Sequence, residues 1–284
     1  MVAKPTSAAG YTPDYLELVR STCLYVATKL GDLMQDLVVV GGLAPSLLVD
    51  QENLPAGADR HVGTMDLDVG LTVALLDEGR YAKLSDRLRR AGFEPDENEQ
   101  GNPTRQRWRI SGGEKVTLDF LIPPTLKSDE GGAIRSLEPD FAALITPGLG
   151  LAFLDNRRVT LSGVTIFGER DTREVWVCGP GAYVVLKALA VRNRGESKDA
   201  YDLYYVLRNY GAGVWDVASA LRPFLTDGAA IQAIAALRAD FLDHQGIGPR
   251  RVAEFVLGEP NDTLQADVVG FVGEFLRLLE EGPP

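Results

Sequence analysis

Two carboxylates stand two residues apart in an otherwise apolar stretch, Met65-Asp66-Leu67-Asp68-Val69. If this stretch is a strand, Asp66 and Asp68 project from the same face, because alternate side chains of a strand point to the same side. Neighbouring carboxylates repel each other unless a cation lies between them. Mg²⁺ binds carboxylate oxygens together with water and substrate phosphates, so the pair indicates a metal site for phosphoryl transfer. A solvent-facing strand edge would show the same pattern.

A third carboxylate, Asp119, lies in the apolar segment Val116-Thr117-Leu118-Asp119-Phe120-Leu121. If the strands that carry Asp66, Asp68 and Asp119 are neighbours, the three acids form a cluster able to hold one or two metal ions. In that cluster Asp119 either binds a second ion or acts as the base that receives the proton of an attacking hydroxyl.

A glycine pair, Gly41-Gly42, follows the wholly apolar run Leu37-Val38-Val39-Val40. Glycines between a buried strand and a helix let the backbone approach a ligand closely, and the N–H groups that open the helix suit a phosphate. A tight strand-to-helix turn would use the same residues. Ser46 lies one turn into that helix, where its hydroxyl would contact phosphate, cap the helix or face solvent. Thr64 precedes Asp66 by two residues and would share its face.

Lys187 lies within the apolar helical segment 183–189, where an unpaired ammonium would be costly. We therefore expect it to face a phosphate or a carboxylate, the alternative being a surface lysine. Lys198 and Asp202 are spaced i,i+4 on the next predicted helix, a spacing that a surface ion pair alone would explain. Asp199 is expected either to serve the same site or to face solvent. His61, in the polar loop 51–63, is expected to be an exposed loop histidine, with a nucleotide contact as the alternative.

The elements that must position these residues mix strands and helices up to about residue 170. Helices are predicted at 12–33, 43–49 and 76–91, and strands at 37–40, 65–71, 105–110, 115–122, 159–167 and 174–177. The segment Ser111-Gly112-Gly113-Glu114 predicts a hairpin turn. After Gly179-Pro180-Gly181 only helices are predicted, at 183–193, 197–209, 214–224, 229–241, 249–256 and 264–280.

Strands mixed with helices, followed by helices alone, indicate an α+β fold. We expect a mixed sheet flanked by helices in residues 1–175. A C-terminal helical domain would follow in residues 176–284 and complete the active-site cleft.

Composition excludes several classes of protein. The 284 residues carry a formal net charge of −11, which disfavours non-specific binding to duplex DNA and leaves nucleic acid to local basic patches, such as Arg105, Arg107 and Arg109. Two histidines make a multi-histidine zinc site a poor fit, so a catalytic metal would be held by oxygen. Two distant cysteines, together with the lack of a signal peptide or a long apolar span, predict a cytoplasmic protein.

Taken together, Val39-Val40-Gly41-Gly42, Asp66-Leu67-Asp68-Val69 and the later Asp119 resemble the polymerase-β-like nucleotidyltransferase superfamily. Downstream, Lys187-Ala188-Leu189-Ala190-Val191-Arg192-Asn193-Arg194 and Lys198-Asp199-Ala200-Tyr201-Asp202-Leu203-Tyr204 resemble the helical signature of abortive-infection toxins of the AbiEii/AbiGii type. The resemblance spans residues 36–210. It departs from the usual pattern in the longer gap between Gly42 and Asp66, where loop 51–63 is inserted.

The resemblance implies the residue roles and the cofactor. Mg²⁺, or Mn²⁺ in its place, would be held by Asp66, Asp68 and Asp119, with an NTP as substrate. The catalytic set would be Asp66, Asp68, Asp119, Lys187 and Asp202. The nucleotide-binding set would be Gly41, Gly42, Ser46, Thr64, Lys187 and Arg192. Arg192 and Arg194 would bind triphosphate or RNA, whereas a favourable interaction with the helix dipole explains arginines at a helix end equally well.

The same resemblance implies the toxic half of a toxin–antitoxin pair, with a cognate antitoxin protein as partner. Such an enzyme would transfer a nucleoside monophosphate from an NTP to RNA, for instance to a tRNA 3′ end. The alternatives are a nucleotidyltransferase that modifies a small hydroxyl compound such as an aminoglycoside, one that modifies a protein, and an inactive binder of the same fold. No membrane is expected among the partners.

Overall fold

The computed structural model describes residues 4–55, 57–72, 79–98, 100–110 and 116–281. The described chain divides into two units. The first comprises Lys4, Pro13–Ala44 and Thr64–Cys178, and the second comprises Pro5–Thr12, Pro45–Gly63 and the chain from Gly179 onward. Each unit is described separately below.

The first unit contains all the described strands. These are β1 (Leu37–Val40), β2 (Asp66–Leu71), β3 (Phe93–Glu97), β4 (Pro103–Ile110), β5 (Thr117–Ile122), β6 (Ile134–Glu138), β7 (Phe141–Ile145), β8 (Asn156–Val164) and β9 (Arg170–Cys178). Its helices are α1 (Pro13–Leu30) and α3 (Arg80–Arg90), while the short α2 (Ala44–Leu48) begins where the unit ends.

The strands form one mixed sheet in the order β3-β4-β5-β2-β1-β9-β8, to which β7 adds by pairing with β5 and β6. Parallel pairs join β2 to β5, β1 to β9 and β5 to β7, and the other pairs are antiparallel. Because parallel strands need a long crossover between them, β5 reaches its place beside β2 only after the chain has formed α3, β3 and β4.

Apolar side chains of the central strands form the core of this unit. All four residues of β1 are buried, as a strand covered on both faces requires. Trp108, Phe120 and Phe141 pack together as fully buried aromatic rings. Helix α1 packs against β8 and β9. It begins with Pro13 in its first turn, where a missing N–H costs no hydrogen bond.

The second unit is helical. Its helices are α4 (Pro180–Arg194), α5 (Ser197–Asn209), α6 (Val214–Leu221), α7 (Gly228–Phe241), α8 (Ile247–Leu257) and α9 (Asp262–Glu281). Helix α5 packs against α4 and α8, and α9 packs against α6 and α8. Pro180 opens α4, and Gly195 ends it in the left-handed conformation at φ 75°.

The expected fold class, a mixed sheet flanked by helices and followed by helices alone, is confirmed. The sequence did not predict β3, β6 or β7, and the hairpin of β8 and β9 is longer than predicted. The predicted turn at 111–114 and the start of the predicted helix 76–91 lie outside the described residues. In the described part of the chain, none of the helices has the length and apolar character that crossing a bilayer would require.

Candidate active site

Three acids of the first unit converge on one face of the sheet. β2 and β5 run parallel in a register that places Asp68 directly beside Asp119, with Asp66 two residues earlier on β2. One carboxylate oxygen from each of Asp66, Asp68 and Asp119 lies within 4.8 Å of the others. The convergence predicted from the sequence is therefore present. The opposite face of β2 is apolar, and its residues Leu67 and Val69 are buried.

Two cations neutralise part of this acidic cluster. On β4, the guanidinium of Arg107 donates from Nε to Asp119 Oδ1 at 2.7 Å and from a terminal nitrogen to Asp119 Oδ2 at 2.6 Å. The Lys4 ammonium lies 2.5 Å from Asp66 Oδ2. Thr64 shares the face of Asp66, as expected, and its hydroxyl donates to Asp66 Oδ1 at 2.7 Å. Asp119 and Asp66 of the cluster are therefore each paired with a basic side chain.

The protonation of Asp119 reflects two opposing effects. Burial raises the pKa of its carboxyl group, and the negative charge of Asp66 adds to that shift, while Arg107 opposes both. The hydrogen bonds to Asp119 raise the pKa of Arg107 in turn, so the guanidinium stays charged. The ionised form of Asp119 is therefore stabilised by the neighbouring guanidinium of Arg107.

The glycine turn lies directly against the acids. Val40 pairs with Asp68 across β1 and β2, and Gly41 follows with φ 65° in the left-handed region. A Cβ atom at Gly41 would lie 1.9 Å from Asp68 Oδ2, so no other residue fits without moving this carboxylate. Gly42 is buried in the short turn Gly41–Leu43 that leads into α2. The glycine is required here both by backbone conformation and by contact with an acid.

These residues fit a divalent cation. Carboxylate oxygens are the protein ligands that Mg²⁺ and Mn²⁺ prefer, and the cluster offers three of them within 4.8 Å of one another. The contact of the Lys4 ammonium with Asp66 shows that a cation is stabilised at this place. Asp66 is almost fully buried, which makes its negative charge costly without such a partner.

A second cluster of charges lies within the helical unit. The Lys187 ammonium on α4 donates to Asp199 Oδ1 at 2.8 Å and to Asp202 Oδ2 at 2.7 Å, both on α5. Lys198 donates to both oxygens of Asp202, at 2.7 and 2.9 Å. Arg194 donates to both oxygens of Asp199. Of the two partners expected for Lys187, phosphate or carboxylate, the structure shows carboxylates.

Burial dominates the electrostatics of this cluster. It lowers the pKa of Lys198, and Asp202 offsets only part of that shift. Burial acts on Lys187 in the same direction, but Asp199 and Asp202 together outweigh it and raise the pKa of Lys187. The two lysines in turn hold the pKa of Asp202 well below its usual range, although burial alone would raise it. Lys187 and Asp202 therefore each favour the ionised form of the other.

Two alternatives and one expectation about this cluster were wrong. Asp199 is 2% exposed and does not face solvent. The pair of Lys198 and Asp202 is buried rather than superficial, because Lys187 and His61 cover the carboxylate from other sides. His61 is not an exposed loop histidine: it is 3% exposed, and its Nε2 lies 2.9 Å from Asp202 Oδ1.

The hydrogen bonds of His61 define its state. Its Nδ1 accepts from the Gly63 N–H at 3.1 Å, so Nε2 carries the proton and donates to Asp202. Its ring stacks on Tyr201 and meets Tyr205 edge-on. Burial lowers the pKa of His61 to about 4, although Asp202 acts in the opposite direction. His61 is therefore a neutral donor that fixes one oxygen of Asp202.

The remaining predicted nucleotide-binding residues differ in exposure. Ser46 is buried in α2, so its predicted solvent-facing alternative is wrong. Arg192 is exposed in the last turn of α4. The roles of Ser46, Thr64, Lys187 and Arg192 toward a nucleotide stay predictions.

Sequence reasoning missed the part that Arg107 and Lys4 play. Arg107 belongs to a set of alternating arginines, and this spacing alone indicates only a basic patch for nucleic acid. The signal that identifies it is its position on the strand before the one that carries Asp119, since hairpin neighbours face each other. No comparable signal marks Lys4, because its contact with Asp66 joins residues far apart in the chain.

No protein-family model matches the chain. No curated protein matches it either. Among solved structures, the chain is similar to an antigenic nucleotidyltransferase-like protein from Paracoccidioides brasiliensis. The similarity covers 81% of this chain and 94% of that one, at 20% sequence identity and a TM-score of 0.41. A likeness this distant leaves the function to be argued from the residues of the site.

Proposed function

We propose that the protein is a divalent-cation-dependent nucleotidyltransferase that transfers a nucleoside monophosphate from an NTP to a hydroxyl acceptor. One observation carries the proposal: Asp66, Asp68 and Asp119 converge on one face of the sheet, against a glycine turn. The acids suit a cation that binds phosphate, and the glycine turn lets a ligand approach the backbone.

In the proposed reaction the acceptor hydroxyl attacks the α-phosphorus of the NTP, and pyrophosphate leaves. Asp66 and Asp68 would hold Mg²⁺ or Mn²⁺, which when bound would supply neutralisation of charge on the phosphates. Asp119 lies beside Asp68 and can receive the hydroxyl proton or join the ion's ligands. Arg107 keeps a positive charge next to Asp119 throughout.

The finer proposal is a toxin of a toxin–antitoxin pair that acts on RNA, such as a tRNA 3′ end. It is supported by the likeness of segment 187–204 to the toxin signature. The residues of that segment form a buried cluster with the exposed Arg194 at its edge, and Lys187, Lys198 and Arg194 together exceed Asp199 and Asp202 by one positive charge. A cluster with excess positive charge suits a phosphate. An antitoxin protein is the proposed partner.

A second candidate acceptor is a small cationic compound such as an aminoglycoside. The observation that favours it is the net charge of −11, which repels a polyanion and attracts a cation. The metal site and the NTP chemistry would be the same, so the two candidates differ only in the acceptor.

The test is incubation of the protein with each labelled NTP, Mg²⁺ and either total RNA or an aminoglycoside. The wild type is compared with Asp66→Asn and with Asp86→Asn, which alters an exposed aspartate of α3 outside the site. We expect label in a discrete RNA band with the wild type and Asp86→Asn, and none with Asp66→Asn. Label in the aminoglycoside alone selects the second candidate. Transfer that survives in Asp66→Asn contradicts the assignment of the metal site.

A further inference from the structure

A guanidinium and two carboxylates form a row across three neighbouring strands. Arg107 on β4 pairs with Asp119 on β5 in the antiparallel register, and Asp119 pairs with Asp68 on β2 in the parallel register. The next position in the row is Val40 on β1, immediately before the glycine turn. The registers of the sheet thus fix the order in which these groups meet.

Arg107 contacts both oxygens of Asp119. The two donor–acceptor distances are 2.7 and 2.6 Å, the geometry of a bidentate pair. Such a pair restricts rotation of the carboxylate, and both side chains are largely shielded from solvent. The orientation of Asp119 is therefore set from β4, which flanks β5 on the side opposite to β2.

Charge balance limits what the cluster can bind. Three carboxylates and the Arg107 guanidinium leave two negative charges, which one divalent ion neutralises. Lys4 is 43% exposed at its side chain, so solvent weakens its pairing with Asp66 and an ion can displace it. An ion bound directly to Asp119 would face the guanidinium across a single carboxylate, and like charges at that separation repel.

We propose that Arg107 is a positioning residue that keeps Asp119 outside the coordination sphere of the metal, so that the nucleotide-free site takes one divalent ion on Asp66 and Asp68. The inference rests on the proposed function and decides between its two roles for Asp119. In the transfer step Asp119 then accepts the proton of the attacking hydroxyl. The bond from that oxygen to the α-phosphorus forms as the bond from phosphorus to pyrophosphate breaks.

The first test is Mn²⁺ binding in the absence of nucleotide, followed by electron paramagnetic resonance. The wild type is expected to bind one ion per chain. Asp68→Asn should weaken binding by about tenfold or more, as loss of a ligand does, whereas Asp119→Asn should weaken it clearly less, because it removes a nearby charge but no ligand. Two ions bound to the wild type, or equal losses in Asp68→Asn and Asp119→Asn, would overturn the proposal.

The second test compares Arg107→Gln with Arg109→Gln. Arg109 lies two residues further along β4, on the same face, and pairs with Glu94 and Asp96 instead of the cluster. Without its anchor, Asp119 is expected to turn to the ion, so Arg107→Gln should tighten Mn²⁺ binding severalfold and lower kcat with little change in KM for NTP. Arg107→Lys should restore part of kcat, and Arg109→Gln should leave Mn²⁺ binding unchanged.

Unchanged or weakened Mn²⁺ binding in a folded Arg107→Gln protein would contradict the positioning role. If that variant does not fold, as judged by circular dichroism, the comparison of Asp119→Asn with Asp68→Asn still decides the matter. Mn²⁺ binding is measured without NTP or acceptor, so it stands apart from the transfer assay. A wild type that binds one ion with the expected pattern of variants but transfers no nucleotide would refute the proposed function and leave the arrangement of the ion site intact.

Discussion

Gly41 combines a left-handed backbone with direct contact to a proposed metal ligand, and the two effects can be separated. Gly41→Ala places a methyl group where Asp68 Oδ2 now lies, so the carboxylate must move. We expect Mn²⁺ affinity to fall by about tenfold to a hundredfold, the usual consequence of disturbing the support of a ligand. Isothermal titration calorimetry measures this loss.

Gly101→Ala is the matched control for that substitution. Gly101 has φ 78°, close to that of Gly41, but a Cβ atom there would meet no atom of the described residues within 4 Å. Both variants pay about 1–2 kcal/mol for a left-handed alanine, but only Gly41→Ala should lose the ion. Equal Mn²⁺ affinities in the two variants would mean that Asp68 does not bind the ion.

His61 makes stability depend on pH in a defined direction. Its pKa of about 4 in the folded protein lies below the ordinary value of 6.5. Between these two pH values the unfolded chain therefore binds a proton at His61 and the folded protein does not. The stabilisation is complete above pH 6.5 and is lost as the pH falls toward 4. Between pH 7 and 5.5 we expect a loss of about 1 kcal/mol from this residue.

Urea unfolding at the two pH values measures this loss, and His61→Gln should reduce it. The groups that face His61 are Asp202, Lys187, Lys198, Tyr201 and Tyr205, and none of them has an ordinary pKa in that pH range. His244→Gln replaces an exposed histidine and should keep the behaviour of the wild type. A pH dependence that His61→Gln leaves unchanged would show that His61 is not its source.

At the scale of elements, ion pairs between buried side chains join α4 to α5. Removing one of these charges leaves its partners buried with fewer opposite charges. Lys187→Met removes one ammonium from between Asp199 and Asp202, which remain buried. We expect the free energy of unfolding to fall by about 3 kcal/mol, because a buried charge loses a partner. Arg192→Gln changes an exposed residue of the same helix and should cost about 0.5 kcal/mol or less. Equal urea midpoints for the two variants would exclude a structural role for Lys187.

The same scale shows what the sequence could predict. The alternation in β2 and β5 identified both strands and the face of their acids, because a polar residue in an apolar strand has few explanations. β3 was missed because Pro95 and three acids obscure it; it is an edge strand, where proline is tolerated. β7 is a run of five apolar residues, a length at which periodicity does not separate strand from helix.

The site was predictable in its acids and not in its cations. The sequence identifies Asp66, Asp68 and Asp119 because each is an acid within an apolar segment. Arg107 resembles its neighbours Arg105 and Arg109 in the sequence, and only the strand register selects it. His61 was misjudged because a polar loop suggests exposure, whereas Tyr201 and Tyr205 bury its ring.

For the molecule as a whole, the formal charge of −11 predicts weak affinity for duplex DNA. Proteins that bind DNA without sequence preference do so at about 10⁻⁴ to 10⁻⁶ M, through basic surfaces that release counterions. We expect the dissociation constant for a labelled duplex to be weaker than about 10⁻⁴ M at about 0.15 M salt. Fluorescence anisotropy measures it, and tighter binding would reveal a basic surface strong enough to overcome the net charge.

The parallel pairing of β2 with β5 has a consequence for the stage of folding at which the acidic cluster forms. Asp68 and Asp119 are 51 positions apart, so pairing β2 with β5 closes a long loop. The entropy cost of this closure comes before the stabilising contacts between the strands form. Helical segments, whose contacts are local, form faster than such pairings. We expect a refolding chain to regain its circular dichroism well before it can take up Mn²⁺, so a newly synthesised molecule passes through a largely helical stage in which the ion site is absent.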